Sequence, residues 1–516
     1  MSRSTRSGAA RRSRSVWGTV GKVFVSSVTA ILLLAVFGLL AVLTPSDHLI
    51  DGSDARSGSH TISVGQTMLQ SYCPARMQLA DTESYGDSAY QISEGNIVGK
   101  ARFAAFGSMY STAVTSLNGD DKHDTPDIDL TDQTKAFVYG SDAGADPLLL
   151  TSRMLDVSKG SGVASSVASW ATEGDLQGLS SVQCVNPQLR QSFLLPATQT
   201  GWTQQLVLAN PTEKSTTVSM SMWGTGSAQA IASSTDSKVT VAGKSQTVVD
   251  VSAAAPAQDG LYLSLTSSGA PVSAVVRVVH AEGLTPRGSD YATPLPATAA
   301  TDTTIAGVGG GQDVMVNLYS DQDGDVTLSW ITGSGTSEAK KDTVTANTVK
   351  SIGLGKAPDD ALGLRVESGS AMYVSAICSQ SSDNQTDFSL ANGVVAVASG
   401  AVAIPDGVDA TLAMVNTADQ TVTTKLTGYG DDGTQKGEKE ITIEPHKAVS
   451  IKPSEIADGV VAVTMSDDKA SIVWSAMIGV NAVNDAHLAG LGVIGSSSLM
   501  PAQAQVRADQ SLSVVK

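Results

Sequence analysis

The feature that most constrains what this chain can fold into is a beat of proline. A bulky apolar residue followed by proline recurs at Leu195-Pro196, Leu295-Pro296, Ile404-Pro405 and Met500-Pro501. The prolines lie 100, 109 and 96 residues apart, and similar strand-like text follows the first three. Self-similarity of this kind marks one supersecondary unit copied along the chain. The expectation is a rod of like modules rather than one catalytic globule.

The text inside a copy is β text. Short runs rich in Val, Thr, Leu and Ile alternate with Gly, Asn, Asp and Ser turns, and helical periodicity is nearly absent. In the copy beginning near Phe193, residues 204–209 read as a strand stopped by Asn210-Pro211. Residues 216–223 alternate, with Val218, Met220 and Met222 on one face. Further strands are expected at 239–241, 248–251, 261–265 and 272–279. With the Leu195-Pro196 strand this makes about seven in about 100 residues, the size of an immunoglobulin-like sandwich. Proline suits an opening edge strand, which tolerates a missing donor.

The same order returns at 314–318, 326–330, 362–366 and 372–377, then at 411–415, 421–426, 441–443, 460–465 and 472–477. Asn416-Thr417 stands where Asn210-Pro211 stood. Residues 163–171 with Glu173-Gly174 echo 272–280 with Glu282-Gly283, so the first outer segment reads as a degenerate copy. Residues 118–132 form an acidic insertion within it, read as a surface loop. The fold class expected is all-β, with tandem immunoglobulin-like β-sandwich modules after an N-terminal transmembrane helix. A β-propeller is the alternative, since four-stranded blades also give evenly spaced strands. One copy, however, is too long for a blade of about 40 to 50 residues.

The helix comes from the N-terminus. Arg3, Arg6, Arg11, Arg12 and Arg14 precede residues 16–43, an apolar stretch broken by the single charge of Lys22. Residues 23–43 are 21 uncharged residues, enough to cross a hydrocarbon core of about 30 Å at about 1.5 Å per residue. The arginine flank predicts a cytoplasmic N-terminus, with the bulk of the chain outside. A cleaved signal peptide is disfavoured, because the core is long and Ala41-Val42-Leu43-Thr44-Pro45 is a poor cleavage text. The division expected is a cytoplasmic basic stub over 1–15, a signal anchor over 16–44, a linker over 45–59 and a degenerate β module over 60–190. Sandwich repeats follow over 191–300, 301–400 and 401–500, with a tail over 501–516.

The chain carries 33 basic and 50 acidic residues. Residues 1–45 hold six of the bases and none of the acids, leaving the remainder at −23. Such a surface argues against nucleic acid, anionic lipid or teichoic polymers as direct partners. All three cysteines, Cys73, Cys184 and Cys378, fall outside the expected membrane, where disulfides are permitted. Cys73 and Cys184 bracket the first outer segment and are the disulfide candidates. Cys378 sits in an apolar run and reads as a small buried hydrophobe.

Catalytic signatures are missing from this text. There is no Gly-x-Ser-x-Gly elbow and no phosphate loop with its lysine. His48, His60, His123, His280, His446 and His487 lack metal-ligand spacing. Asp321-Gln322-Asp323-Gly324-Asp325 resembles half of a calcium loop, but Thr332 stands where a bidentate glutamate is needed, so a plain turn is expected. Asp431-Asp432-Gly433 likewise reads as a turn. No catalytic, cofactor or metal residue is assigned, and no enzyme activity is expected.

Some of the text resembles a known family. Residues 174–179, Cys184, residues 206–211 and residues 269–274 are similar to the actinobacterial DUF5719 family of uncharacterised envelope proteins. The resemblance spans about residues 60 to 500. It implies a single-pass or secreted envelope protein with two cysteines at the positions of Cys73 and Cys184, and it carries over no active-site residue. The function expected is a membrane-anchored extracytoplasmic structural or interaction protein, positioning an envelope partner or binding a cell-wall polymer. The alternatives are a carbohydrate-binding β-module array, with Trp202, Trp223, Trp330 and Trp474 as candidate platforms, or an enzyme with an unrecognised site.

Overall fold

The computed structural model describes residues 59–500, apart from 81–91, 120, 129–131, 133, 233–236 and 383–384, together with 503–509. The expected membrane anchor over 16–44 lies outside these residues. Among those described, no helix is long and apolar enough to cross a membrane. The chain is 57% strand and 3% helix, an all-β protein of antiparallel sheets. It divides into two bodies. In the smaller, strands Ser59–Gly65 and Gln503–Asp509 pair as a two-stranded sheet. The larger body, Gly65–Gln503, carries the repeat.

The repeat is a pair of four-stranded sheets, shown most plainly by the second unit. Its strands are Arg190–Leu195, Trp202–Asn210, Thr216–Trp223, Lys238–Val241, Ser245–Asp250, Leu261–Ser267, Ser273–Glu282 and Thr285–Ala292. Numbered along the chain, one sheet runs fourth-third-sixth-first and the other fifth-second-seventh-eighth. The fourth unit repeats this order from Ser399–Ala403 to Gly492–Gly495 and adds Ser497–Ser498 beside its first strand. The first unit runs from Met68–Cys73 to Gly178–Gln183 and lacks the fourth strand, where the sequence carries the acidic insertion.

In the third unit the sixth and seventh strands fuse. Ala361–Ser381 is one strand of 21 residues. Its first half pairs with Ala300–Ala306 and Gly324–Thr332, its second with Asp313–Tyr319 and Thr386–Asn392. The sequence reading broke this strand between 366 and 372. The chain instead runs extended through Ser368-Gly369-Ser370 and passes from one sheet to the other.

Alternation builds these strands. In Thr216–Trp223 the residues are buried in turn, with Val218, Met220 and Met222 inside and Ser221 exposed. Each unit fills the space between its sheets with aliphatic side chains, as Leu206, Leu208, Leu263 and Val276 do in the second. The turn after the second strand is held by a buried asparagine. Asn210 donates to the carbonyls of Lys214 and Val241 and accepts from the Thr212 N–H at 3.0 Å. Asn416 donates to the carbonyls of Gln420, Ile443 and Glu444 and accepts from the Ala418 N–H at 2.9 Å. Both are 0% exposed. A buried side-chain amide satisfies backbone groups that the turning chain leaves over.

Two expectations need correction. The first concerns the proline beat. Leu195 ends the first strand of its unit and Ile404 follows that of the fourth unit. Leu295-Pro296, however, lies in the linker before the third unit, whose first strand ends at Ala306. The second concerns the rod. Apolar clusters join the first unit to the second through Tyr72, Val207 and Tyr291, and the second to the third through Tyr262 and Tyr319. Others join the third to the fourth through Ala306 and Val415, and the fourth back to the first through Ala403 and Phe106. The units therefore close on themselves. The physical reason is the eighth strand, which ends its sheet in every unit. An edge strand exposes unpaired backbone groups, and folding the four edges inward covers them.

Cys73 and Cys184 are joined in a disulfide across 111 residues. Cys378 is buried, and burial pushes its thiol up to about 12, so it stays protonated and inert. Replacing Asn416 with alanine strands buried carbonyls and is expected to lower unfolding free energy by about 2–3 kcal/mol in chemical denaturation. The double change Cys73→Ser with Cys184→Ser should lower it by about 4 kcal/mol on the chain-entropy model, and reduction of the native protein should match that loss.

Candidate functional site

The eighth strands Gly178–Gln183, Thr285–Ala292, Thr386–Asn392 and Gly492–Gly495 meet at the centre of the larger body. Two carboxylates stitch them together. Asp290, in the second unit, accepts the Ser181 N–H of the first at 2.8 Å and the Leu390 N–H of the third at 2.7 Å. Asp387, in the third unit, accepts the Leu179 N–H of the first and the Leu491 N–H of the fourth, both at 2.9 Å. Both aspartates are 0% exposed, and neither makes an ion pair among the described residues. Burial pushes Asp387 up to about 8 and raises Asp290 well above the usual carboxylate range, against the pull of their backbone N–H donors.

Glycine makes the close approach possible. Gly178 and Gly288 take φ of +126° and +109°. A Cβ on either would come within 2.9 Å and 2.7 Å of the Asp387 carboxyl. Beside them the Ser180 and Ser289 hydroxyls hydrogen-bond at 2.8 Å. One layer out, Arg102 closes the seam between the first and fourth units. It is 2% exposed, donates to the Ile404 carbonyl at 3.2 Å and pairs with Asp406 and Asp431. The Asp431 turn thus carries a cross-unit ion pair that its sequence position did not reveal.

At the C-terminal ends of the eighth strands lies a cleft of about 490 Å³. All four units line it, through residues such as Gln183, Thr293, Asn392, Val395, Trp474 and Ser497. Among the described residues, no Asp, Glu, Lys, Arg or His lines it. In a chain of net charge −17 this neutrality is a property of the place, not of the average. The Trp474 indole N–H, 2% exposed, has no hydrogen-bond partner among the described residues.

The candidate tryptophan platforms are occupied. Trp330 and Trp474 are buried at 7% and 2% exposure. Trp223 packs on Tyr262 and Tyr319, and Trp202 stacks on His280 with ring centroids 4.0 Å apart. Asp323 accepts the Ala346 N–H at 2.7 Å, and Asp132 accepts the Thr134 N–H at 3.0 Å. Asp120 and Asp129 of the acidic insertion lie outside the described residues. Among those described, no group of three His, Cys, Asp or Glu is placed to hold a metal ion. Sequence reasoning missed Asp290, Asp387 and Arg102. Ser289-Asp290-Tyr291 and Thr386-Asp387-Phe388 do share a pattern, hydroxyl-Asp-aromatic, that could have flagged the first two.

These features define an all-β protein of four like two-sheet units closed around a buried carboxylate hub. The family follows from the sequence match: the chain belongs to DUF5719, a family of unknown function, whose model matches residues 138–454. No curated protein matches the chain.

The hub makes stability depend on pH with a definite sign. Asp387 binds its proton more tightly when folded, up to about 8, than an ordinary carboxyl near about 4. The folded state then holds more protons than the unfolded state between these values, so stability falls as pH rises through that window. Denaturation midpoints measured from pH 4 to 8 should decline, and Asp387→Asn should flatten the decline.

Proposed function

We propose that this chain is a membrane-anchored, extracytoplasmic interaction protein of a bacterial cell envelope, with no catalytic role, that positions a partner or binds a wall component at its axial cleft. The observation that carries the reading is the uncharged cleft shared by four units of an acidic chain. Such a cleft favours an uncharged occupant, because a charged one would lose its hydration without gaining an ion pair. Residues 23–43 and their arginine flank support the anchor. The Cys73–Cys184 disulfide suits an oxidising compartment.

A photo-reactive residue placed at Ser497, on the cleft, and at Lys341, on an outer strand, tests this in intact cells. The expected outcome is a crosslinked envelope protein or wall polymer from position 497 and none from 341. Equal labelling from both sites, or a turnover activity in the purified chain, would overturn the reading.

A further inference from the structure

Three linkers join the four units beside the cleft, and they differ in one respect. The first carries Pro187 and the second Pro294 and Pro296, so each has lost backbone donors. The third, residues 394–397, reads Val-Val-Ala-Val and keeps every donor. It is an unbroken apolar run. Val394, Val395 and Val397 line the cleft, and Val394 and Ala396 also pack on the cluster of Ala306, Ile331 and Val415. Val394 pairs with Thr304 through both backbone bonds, at 2.9 and 3.0 Å. Beyond that bridge, Val395, Ala396 and Val397 make no backbone hydrogen bond among the described residues. Val395 is 51% exposed, and Met500, also on the cleft, is 45% exposed.

An apolar extended segment with free N–H and C=O groups is a template for strand addition. The cleft decides what is added. Its lining among the described residues is charge-free, which selects an uncharged occupant. Its two aromatic side chains, Tyr291 and Trp474, are both 2% exposed, so no ring face is offered to a sugar. The lining combines aliphatic side chains such as Leu390, Val395 and Val493 with amides and hydroxyls from Gln183, Asn392 and the serines. That mixture matches a peptide backbone bearing small aliphatic and hydroxyl side chains.

We propose that residues 394–397 receive an uncharged, extended peptide segment of a partner protein as an added β-strand in the axial cleft. The proposal rests on the reading of this chain as an interaction protein and names its ligand class. Backbone bonds to residues 395–397 supply register, and the Val395 and Val397 faces select β-branched side chains.

The test uses the purified full chain in detergent and a capped octapeptide of alternating Val and Thr, with binding followed by calorimetry. Saturable binding is expected. Val395→Lys, at a half-exposed position, should weaken it by about tenfold or more with the thermal midpoint unchanged. Methylating alternate backbone nitrogens of the peptide should weaken it similarly, and that control is independent of how any variant folds. Replacing two Thr of the peptide by Lys should do the same. Absence of saturable binding, or equal binding of the methylated peptide, overturns the proposal. Should position 497 still crosslink an envelope partner in that event, strand addition falls while the interaction reading stands.

Discussion

The whole larger body depends on a carboxyl group in a place where a carboxylate is costly. Asp387 has the N–H groups of Leu179 and Leu491 both on its Oδ2 and two glycines pressed against it. Together with Asp290 it touches every unit. Burying an ionised carboxylate without a cation costs several kcal/mol, whereas a protonated one can accept the same N–H bonds at far lower cost. The raised pKa of both groups is that compromise in titration terms. Any side chain on Gly178 or Gly288 would push the strands apart at the one point where four edges meet.

Charge is handled differently at the two depths of the assembly. On the axis the carboxyls go unpaired and lean towards neutrality. At the seam between the first and last units Arg102 is fully buried yet paired with Asp406 and Asp431, both of which reach solvent. A guanidinium with two carboxylates and a carbonyl uses its fork fully. Removing one partner would leave a buried cation exposed to loss of its main compensation, so the seam is specific as well as adhesive. Closure of the ring therefore rests on a directional contact as well as on the apolar cluster around Phe106 and Ala403.

What could be read from the sequence was whatever repeats at short range. The alternation of Val218, Met220 and Met222 marks a strand because pleat geometry has period two. Asn210 and Asn416 stand out as a matched pair because the same turn needs the same amide. Leu295-Pro296 misled because proline tolerates linkers and edge strands alike. The Gly369 break misled because glycine also permits a strand to change sheets without stopping. Ring closure was invisible, since it depends on contacts between residues such as Arg102 and Asp431, which no local window contains. Asp290 and Asp387 sat in repeated text, but an aspartate in a β run is ordinarily read as a turn.

The neutrality of the cleft follows from the same geometry. Many acids of the chain sit in hydrated turns, as at Asp321, Asp323, Asp431 and Asp432, or on exposed strand positions, as at Glu338 and Glu440. The eighth strands pack against one another, and the side chains they bring to the cleft at their C-terminal ends are uncharged. Where those strands end, the linkers take over, and proline in two of them removes the donors that would invite pairing. The third linker lacks that protection, yet it stands beside a space that all four units line. A segment that evades the usual defence against edge pairing, beside an uncharged cleft on an acidic molecule, is better accounted for as a receptor for backbone than as an unguarded edge.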